Sequence, residues 1–164
     1  MGAVSAAAPG TPATVALTTA GIPFTGHTYE HADTATNFGE EAAALLGLDD
    51  DQVFKTLVVQ ADAELVVAVV PVSGRLDLKA LAAAVGAKKA ALADPALAQR
   101  RTGYIVGGIS PIGQKTALTT VVDETAELYD TVFVSGGRRG FDIEISPADL
   151  ARATGATFAA IARP

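Results

Sequence analysis

The amino-acid sequence predicts a mixed α/β fold, and three observations carry that expectation. Residues 53–60 and 64–72 read as two apolar strands separated by a short turn, a hairpin pattern. Several other segments open on Pro or Asp and stop at Gly, the punctuation of short helices. Strand-like and helix-like runs then alternate toward the C-terminus, as in a domain that mixes hairpins with packed helices.

Thr11 to Ala20 reads as a helix with Pro12 in its first turn and Gly21 as its stop. A strand follows from about Phe24 to His31, and Thr36 to Leu46 reads as a second helix ended by Gly47. Val53 to Gln60 and Glu64 to Val72 form the hairpin, turning at Ala61-Asp62-Ala63. Asp77 to Val85 and Asp94 to Arg101 read as helices, because Asp can accept the first free amides and Gly86 and Gly103 can close the last turn. Strands are expected near Thr119–Val122, Thr131–Val134 and Phe141–Ile145, then a helix from Ser146-Pro147 and a closing strand over Thr157–Ile161. No repeat or linker interrupts the pattern. Residues 1–10, small and uncharged, are expected to be a flexible terminus, and residues 11–164 one domain.

At 164 residues and 49% hydrophobic content, the chain can bury one sizeable core. It has no cysteine, which excludes disulfides, thiolate zinc sites and cysteine nucleophiles and fits a reducing compartment. The N-terminus lacks the basic region and apolar stretch of a signal peptide, and the most apolar run, Leu65 to Val72, has the length of a strand. A cytoplasmic protein without a membrane partner is expected. The net charge of −6 argues against a general nucleic-acid binder and against DNA. Its distribution is uneven: residues 1–64 carry nine acids and the single base Lys55, whereas residues 65–164 carry nine acids and eleven bases. Three adjacent basic pairs, Lys88-Lys89, Arg100-Arg101 and Arg138-Arg139, fall in the second part, so a local contact with an RNA end is compatible with the sequence.

Two segments are candidates for chemistry. Gly103 to Lys115 contains four glycines and Pro111, a loop able to bring main-chain amides close to a ligand or simply to turn between strands. It is not a Walker phosphate loop, because Gln114 stands between Gly113 and Lys115-Thr116. In the strand from Val53 to Gln60, Lys55 shares a face with Val53, Leu57 and Val59, so its ammonium either snorkels at the strand end or sits in a cleft facing an anion or carbonyl.

Taken together, Thr28-Tyr29-Glu30-His31, Thr36-Asn37-Phe38-Gly39, Val53-Phe54-Lys55-Thr56-Leu57, the loop Gly103 to Lys115, and Val134-Ser135-Gly136-Gly137-Arg138-Arg139-Gly140 closely resemble the YbaK/EbsC family of free-standing aminoacyl-tRNA editing domains. The resemblance runs from about Thr11 to Arg163 and is nearest to the cysteinyl-tRNA(Pro) deacylase branch. It implies a partly barrel-like mixed sheet with helices packed outside, and hydrolysis of cysteine mischarged onto tRNA(Pro). It further implies the aminoacylated 3′ end of tRNA(Pro) and prolyl-tRNA synthetase as partners, and no cofactor. Catalytic roles are implied for Lys55, Gly107 and Gly108, and substrate contacts for Tyr29, Phe38, Ile109, Ser110, Pro111, Ser135, Gly136 and Asp142. One departure is Thr116, where relatives often carry a second basic residue.

The residues themselves constrain the chemistry. Ester hydrolysis needs donors for a developing oxyanion and a nucleophile. Ser110 lacks the nucleophile-elbow pattern. His27 and His31, four apart in a strand, would stand about 13 Å apart and could not share a metal, and no metal is expected. Lys55 is then the best electrostatic group, with the amides of Gly107, Gly108 and Ile109 as donors. Tyr29 could stack a base or merely half-bury on its sheet; Asp142 could receive an α-amino group or pair with Arg138 or Arg139. The nucleophile is left open between water, the substrate thiol and a ribose hydroxyl. Two other readings stay in play: the same reaction on another small amino acid such as alanine, and a non-catalytic nucleotide-binding module.

Overall fold

The computed structural model describes residues 9–30 and 38–164, the side chain of Phe38 excepted. His31, Thr36, Asn37 and most of the expected flexible terminus lie outside the described residues. Helix α1 (Pro12–Ala20) is opened by a capping box in which Thr11 and Thr14 bond each other's main-chain amides, and is closed by Gly21 in the left-handed conformation. Strand β1 (Thr25–Thr28) is shorter than expected, because the chain leaves the ladder at Tyr29, whose amide donates to the Gly140 carbonyl at 2.9 Å. Helix α2 (Phe38–Leu46) follows, then the hairpin of β2 (Phe54–Ala61) and β3 (Glu64–Pro71).

Helices α3 (Leu78–Val85), α4 (Pro95–Thr102) and α5 (Pro147–Thr154) begin at Asp77, Asp94 and Ser146, whose side chains accept the amides of Ala80, Leu97 and Asp149. Strands β6 (Thr119–Asp123), β7 (Val132–Arg138) and β8 (Phe141–Ile145) match the expected runs, and β9 (Thr157–Ala159) occupies part of the last. Three short strands were not expected: β4 (Arg75–Leu76), β5 (Ala90–Leu92) and β10 (Ala162–Arg163). Two-residue strands show no periodicity, and Ala-Ala-Leu has no strand preference of its own; pairing with β2 imposes it.

The strands form a five-stranded mixed sheet in the order β5-β2-β3-β6-β9, a three-stranded antiparallel sheet β1-β8-β7, and the small pair β10-β4. The two larger sheets meet at an isolated parallel bridge between Val53 and Phe133, where Gln52 accepts the Phe133 amide and donates from its side chain to the Thr131 carbonyl. The sheet bends around the core without closing into a barrel among the described residues. Phe141, Ile143, Ile145, Leu17 and Leu150 pack with Val67, Val69 and Val122 into the main core, while Leu81 and Ile161 cover the other face of the large sheet. No helix among the described residues is long and apolar enough to cross a membrane.

One buried carboxylate fastens the C-terminal segment. Asp123, 2% exposed, ends β6 and accepts the amides of Ile161 (3.0 Å) and Ala162 (2.9 Å) on one oxygen and that of Thr125 (3.2 Å) on the other. Asp123→Ala strands these donors and is expected to cost about 3 kcal/mol, a fall in Tm of about 6–12 °C for a domain of this size. Chemical denaturation measures it, and a loss below about 1 kcal/mol would mean that the segment is held by packing alone.

Candidate active site

The site arises from an interruption in sheet pairing. Along β2, odd-numbered residues bond to β3, as the 2.8 Å bond from the Val72 amide to the Val53 carbonyl marks. Even-numbered residues present their main-chain groups to the opposite edge. There Gln52 reaches β7 and Val58 accepts the Ala93 amide beside β5, but Thr56, between them, has no strand opposite it among the described residues. A pocket of about 440 Å³ opens at this gap. Thr56 lines it, and its hydroxyl oxygen is buried without a hydrogen-bond partner among the described residues, a costly arrangement for a polar atom.

One wall comes from the three-stranded sheet. Asp142 and Ser135 face each other across the β7–β8 ladder and both line the pocket, with Tyr29 at the end of β1 beside them. Asp142 is 5% exposed and accepts no hydrogen bond from a described residue, so burial raises its carboxyl to a pKa of about 7. Burial also pushes the Tyr29 phenol up, and the nearby Asp142 charge adds to it. The Ser135 hydroxyl accepts the Gly137 amide at 3.2 Å within a bulge that leaves Gly136 and Gly137 outside the ladder.

The facing wall is the glycine loop. Gly107, with φ of 90°, and Ile109 line the pocket, and neither amide donates to an acceptor among the described residues. Gly107 lies in the left-handed region that disfavours a side chain. Gly108 differs from the expectation that it offers a free donor: its amide closes a turn onto the Ile105 carbonyl at 2.9 Å. Its Cα rests against the β7–β8 turn so closely that an added Cβ would lie 2.8 Å from the Cα of Arg138. Arg139 completes the contact by donating twice to the Val106 carbonyl, at 2.7 and 3.1 Å, rather than pairing with Asp142. The loop is further fixed from within, where Tyr104 donates to the Ile112 carbonyl at 2.6 Å.

Lys55 is half-buried at the start of β2, lines the pocket, and donates to the Gly74 carbonyl at 3.2 Å. Of the other positions singled out in the sequence, Ser110 and Pro111 are buried inside the loop and do not line the pocket; the Ser110 hydroxyl accepts the Ile112 amide. Gly136 lies under the Phe141 ring, away from the cavity, because an added Cβ would sit 2.3 Å from that ring. Phe38 opens α2, whose next residue, Gly39, lines the pocket. His27 pairs with Asp142 in the β1–β8 ladder but does not line the pocket, and bonds Glu144 at 2.9 Å. Burial alone would raise the Glu144 carboxyl, but hydrogen bonds from Thr131 and His27 prevail and lower it. Among the described residues no group of three His, Cys, Asp or Glu is arranged to hold a metal ion. Thr56 and Arg139 were not named as site residues from the sequence; the alternation that marked Lys55 also puts Thr56 on the opposite face, but says nothing of a missing neighbour strand.

Comparison with known proteins agrees with this geometry. Residues 31–153 match the family model described as an aminoacyl-tRNA editing domain. A protein of Enterococcus faecalis named as a candidate Cys-tRNA(Pro)/Cys-tRNA(Cys) deacylase, EbsC, is 40% identical over 135 residues, 81% of this chain and 82% of its own length. The solved structure of a candidate trans-editing enzyme for prolyl tRNA synthetase is 27% identical, with a TM-score of 0.83 over 93% of this chain and 96% of that one. That of a hypothetical protein is 29% identical, with a TM-score of 0.82 over 93% and 99%. A cavity between a split sheet and a glycine loop, in a chain that shares this sequence and this fold with editing proteins over most of its length, identifies it as a member of the aminoacyl-tRNA editing domain family, in the YbaK/EbsC group.

Proposed function

We propose that the chain is a trans-editing enzyme that hydrolyses cysteine mischarged onto tRNA(Pro), releasing cysteine and tRNA(Pro). The observation that carries this reading is the convergence, on one pocket of about 440 Å³, of the buried Asp142 carboxyl, the unpartnered Thr56 hydroxyl and the uncommitted amides of Gly107 and Ile109. The name of the Enterococcus relative supports cysteine as the amino acid, and that of the solved neighbour supports prolyl-tRNA synthetase as the enzyme whose product is edited.

In the reaction a nucleophile attacks the ester carbonyl carbon, charge collects on the carbonyl oxygen, and the ribose 3′ oxygen leaves with a proton. The Gly107 and Ile109 amides are the donors for that oxygen, and one donor of this kind is worth about 3 kcal/mol in the transition state. Lys55, the one cation among the described residues lining the pocket, supplies charge stabilisation. Asp142 takes the substrate α-ammonium, the Tyr29 ring forms a wall for the terminal base, and the Thr56 hydroxyl gains a partner when the pocket fills. Among the described residues no hydroxyl at the pocket is paired with a base: Ser110 is buried within its loop, Ser135 is turned toward Gly137, and the Thr56 hydroxyl has no partner. The attacking group therefore comes from the substrate or from solvent.

The test is deacylation of a panel of charged tRNAs by the purified chain: cysteinyl-tRNA(Pro), alanyl-tRNA(Pro), prolyl-tRNA(Pro) and cysteinyl-tRNA(Cys). Cysteinyl-tRNA(Pro) is expected to be cleaved fastest. Cleavage of alanyl-tRNA(Pro) alone would move the specificity to another small amino acid, and cleavage of none would make the domain a binding module.

Lys55→Ala is expected to lower kcat/KM by about 100-fold or more while moving Tm by only a few degrees, because it removes charge from a cleft and opens no apolar cavity. Near-normal turnover would return Lys55 to a strand-end role. For Asp142, the folded-state pKa is raised above the unfolded value, so its contribution to stability is present below about pH 4 and lost as pH rises through about 7. Wild type should therefore lose stability relative to Asp142→Asn across that window. From about pH 5 to pH 7, below the range in which the substrate α-ammonium loses its proton, KM for the aminoacyl substrate should fall in the wild type as the carboxylate forms, and change little in Asp142→Asn. Parallel pH profiles for the two proteins would remove Asp142 from substrate binding.

A further inference from the structure

We propose that a second cavity, the groove lined by Lys79, Lys88 and Lys89 beside β5, holds the phosphate backbone of the RNA strand whose 3′ end enters the pocket. This rests on the reading of the pocket as the site for an aminoacylated terminal adenosine. The groove has a volume of about 560 Å³ and lies between α3 and β5, with Gln60 and Asp62 of the β2–β3 hairpin at its side. Strand β5 joins the two cavities: Ala90 and Ala91 line the groove, while Leu92 and Ala93 line the pocket. Ala90 to Ala93 covers about 10 Å, so the groove lies only a few nucleotides from the scissile ester.

Two features separate this groove from scattered surface charge. All three lysines are exposed, and none of their ammonium groups has a hydrogen bond or ion pair among the described residues, although the chain holds 18 acids against 12 bases. Three like charges around one groove repel each other unless an anion joins them. The lysine pair is also held in place at a local cost. Asp62 is the only described non-glycine residue with positive φ, at 51°. Its carboxylate accepts the amides of Lys88 (3.0 and 3.2 Å) and Lys89 (3.0 Å), and its own amide donates to the Lys89 carbonyl at 3.0 Å. The one acid at the groove is thus spent on the main chain, and the ammonium groups are left for a ligand. Of the other basic residues near the pocket, Arg139 is bonded to the Val106 carbonyl, while Arg100 and Arg101 are exposed in the last turn of α4 and form the competing surface that the experiment tests.

The experiment compares the full chain with two charge-reversed variants, Lys88→Glu/Lys89→Glu and Arg100→Glu/Arg101→Glu. Binding of uncharged tRNA(Pro) is followed by fluorescence anisotropy over a range of salt, and deacylation is followed on cysteinyl-tRNA(Pro) and on cysteinyl-adenosine. The lysine variant is expected to weaken tRNA binding about tenfold or more at low salt and to reduce the slope of log K against log salt by about 1.4, the value for two single-strand phosphate contacts. Its kcat/KM ratio, tRNA over adenosine substrate, should fall by a similar factor. Unchanged affinity and slope, a loss confined to the arginine variant, or no tRNA binding by the wild type at low salt would each overturn the proposal. If the wild type binds tRNA through these lysines yet cleaves neither ester, the pocket reading fails and the groove stands. If it cleaves both and the lysine variant binds tRNA like the wild type, the groove fails and the pocket reading stands.

Discussion

The arrangement depends on one unmade strand pairing. β2 is bonded along its whole length to β3, but among the described residues its other edge is covered only at the ends, by β5 at Val59–Ala61 and by β7 at the Val53–Phe133 bridge. The uncovered stretch around Thr56 lines a cavity, and the Thr56 hydroxyl is buried without a partner among the described residues, a condition that interiors seldom tolerate. The glycine loop and the β7–β8 turn then close around this gap. Gly108 and Arg139 lock the loop to the turn, and Gly107 and Ile109 line the cavity together with residues of β2.

This division of labour explains why the glycines are not interchangeable. Gly107 is required for its backbone conformation at the pocket, Gly108 for close approach to the Arg138 main chain, and Gly136 for packing under Phe141. The polar groups divide in the same way. Asp123 is buried and fully used in holding the C-terminal segment, whereas Asp142 is buried and accepts no hydrogen bond from a described residue, so its burial is expressed as a raised pKa. A buried carboxyl and a buried hydroxyl, each without a partner among the described residues and both on residues that line one pocket, are the electrostatic signature of a site that its ligand completes.

Much of the fold was legible in the sequence, because caps and turns are local. Pro12, Asp77, Asp94 and Ser146-Pro147 mark helix starts, and Gly21, Gly47, Gly86 and Gly103 mark their ends, through side-chain acceptors and left-handed conformations that need no tertiary information. The β2–β3 hairpin and β6, β7 and β8 declared themselves through apolar runs. β5 did not, since Ala90-Ala91-Leu92 becomes a strand only when β2 lies beside it. The site was legible to the same degree. Lys55, Tyr29, Gly107, Ile109, Ser135 and Asp142 all reach the pocket, but whether the amide of Gly108 or the hydroxyl of Ser110 is free depends on turns that close within the loop. The gap that exposes Thr56 is a property of three strands distant in sequence, and no local pattern records it.

The central claim is that the gap in β2 and the glycine loop together hold the aminoacyl-adenosine end. A titration of ¹⁵N-labelled protein with a non-hydrolysable 3′-amide analogue of cysteinyl-adenosine tests it most directly, residue by residue. The amide signals of Thr56, Gly107 and Ile109 are expected to shift together and saturate at one affinity, with a smaller response from the internally bonded amide of Gly108. Saturable shifts confined to another surface, with these three amides unmoved, would contradict it.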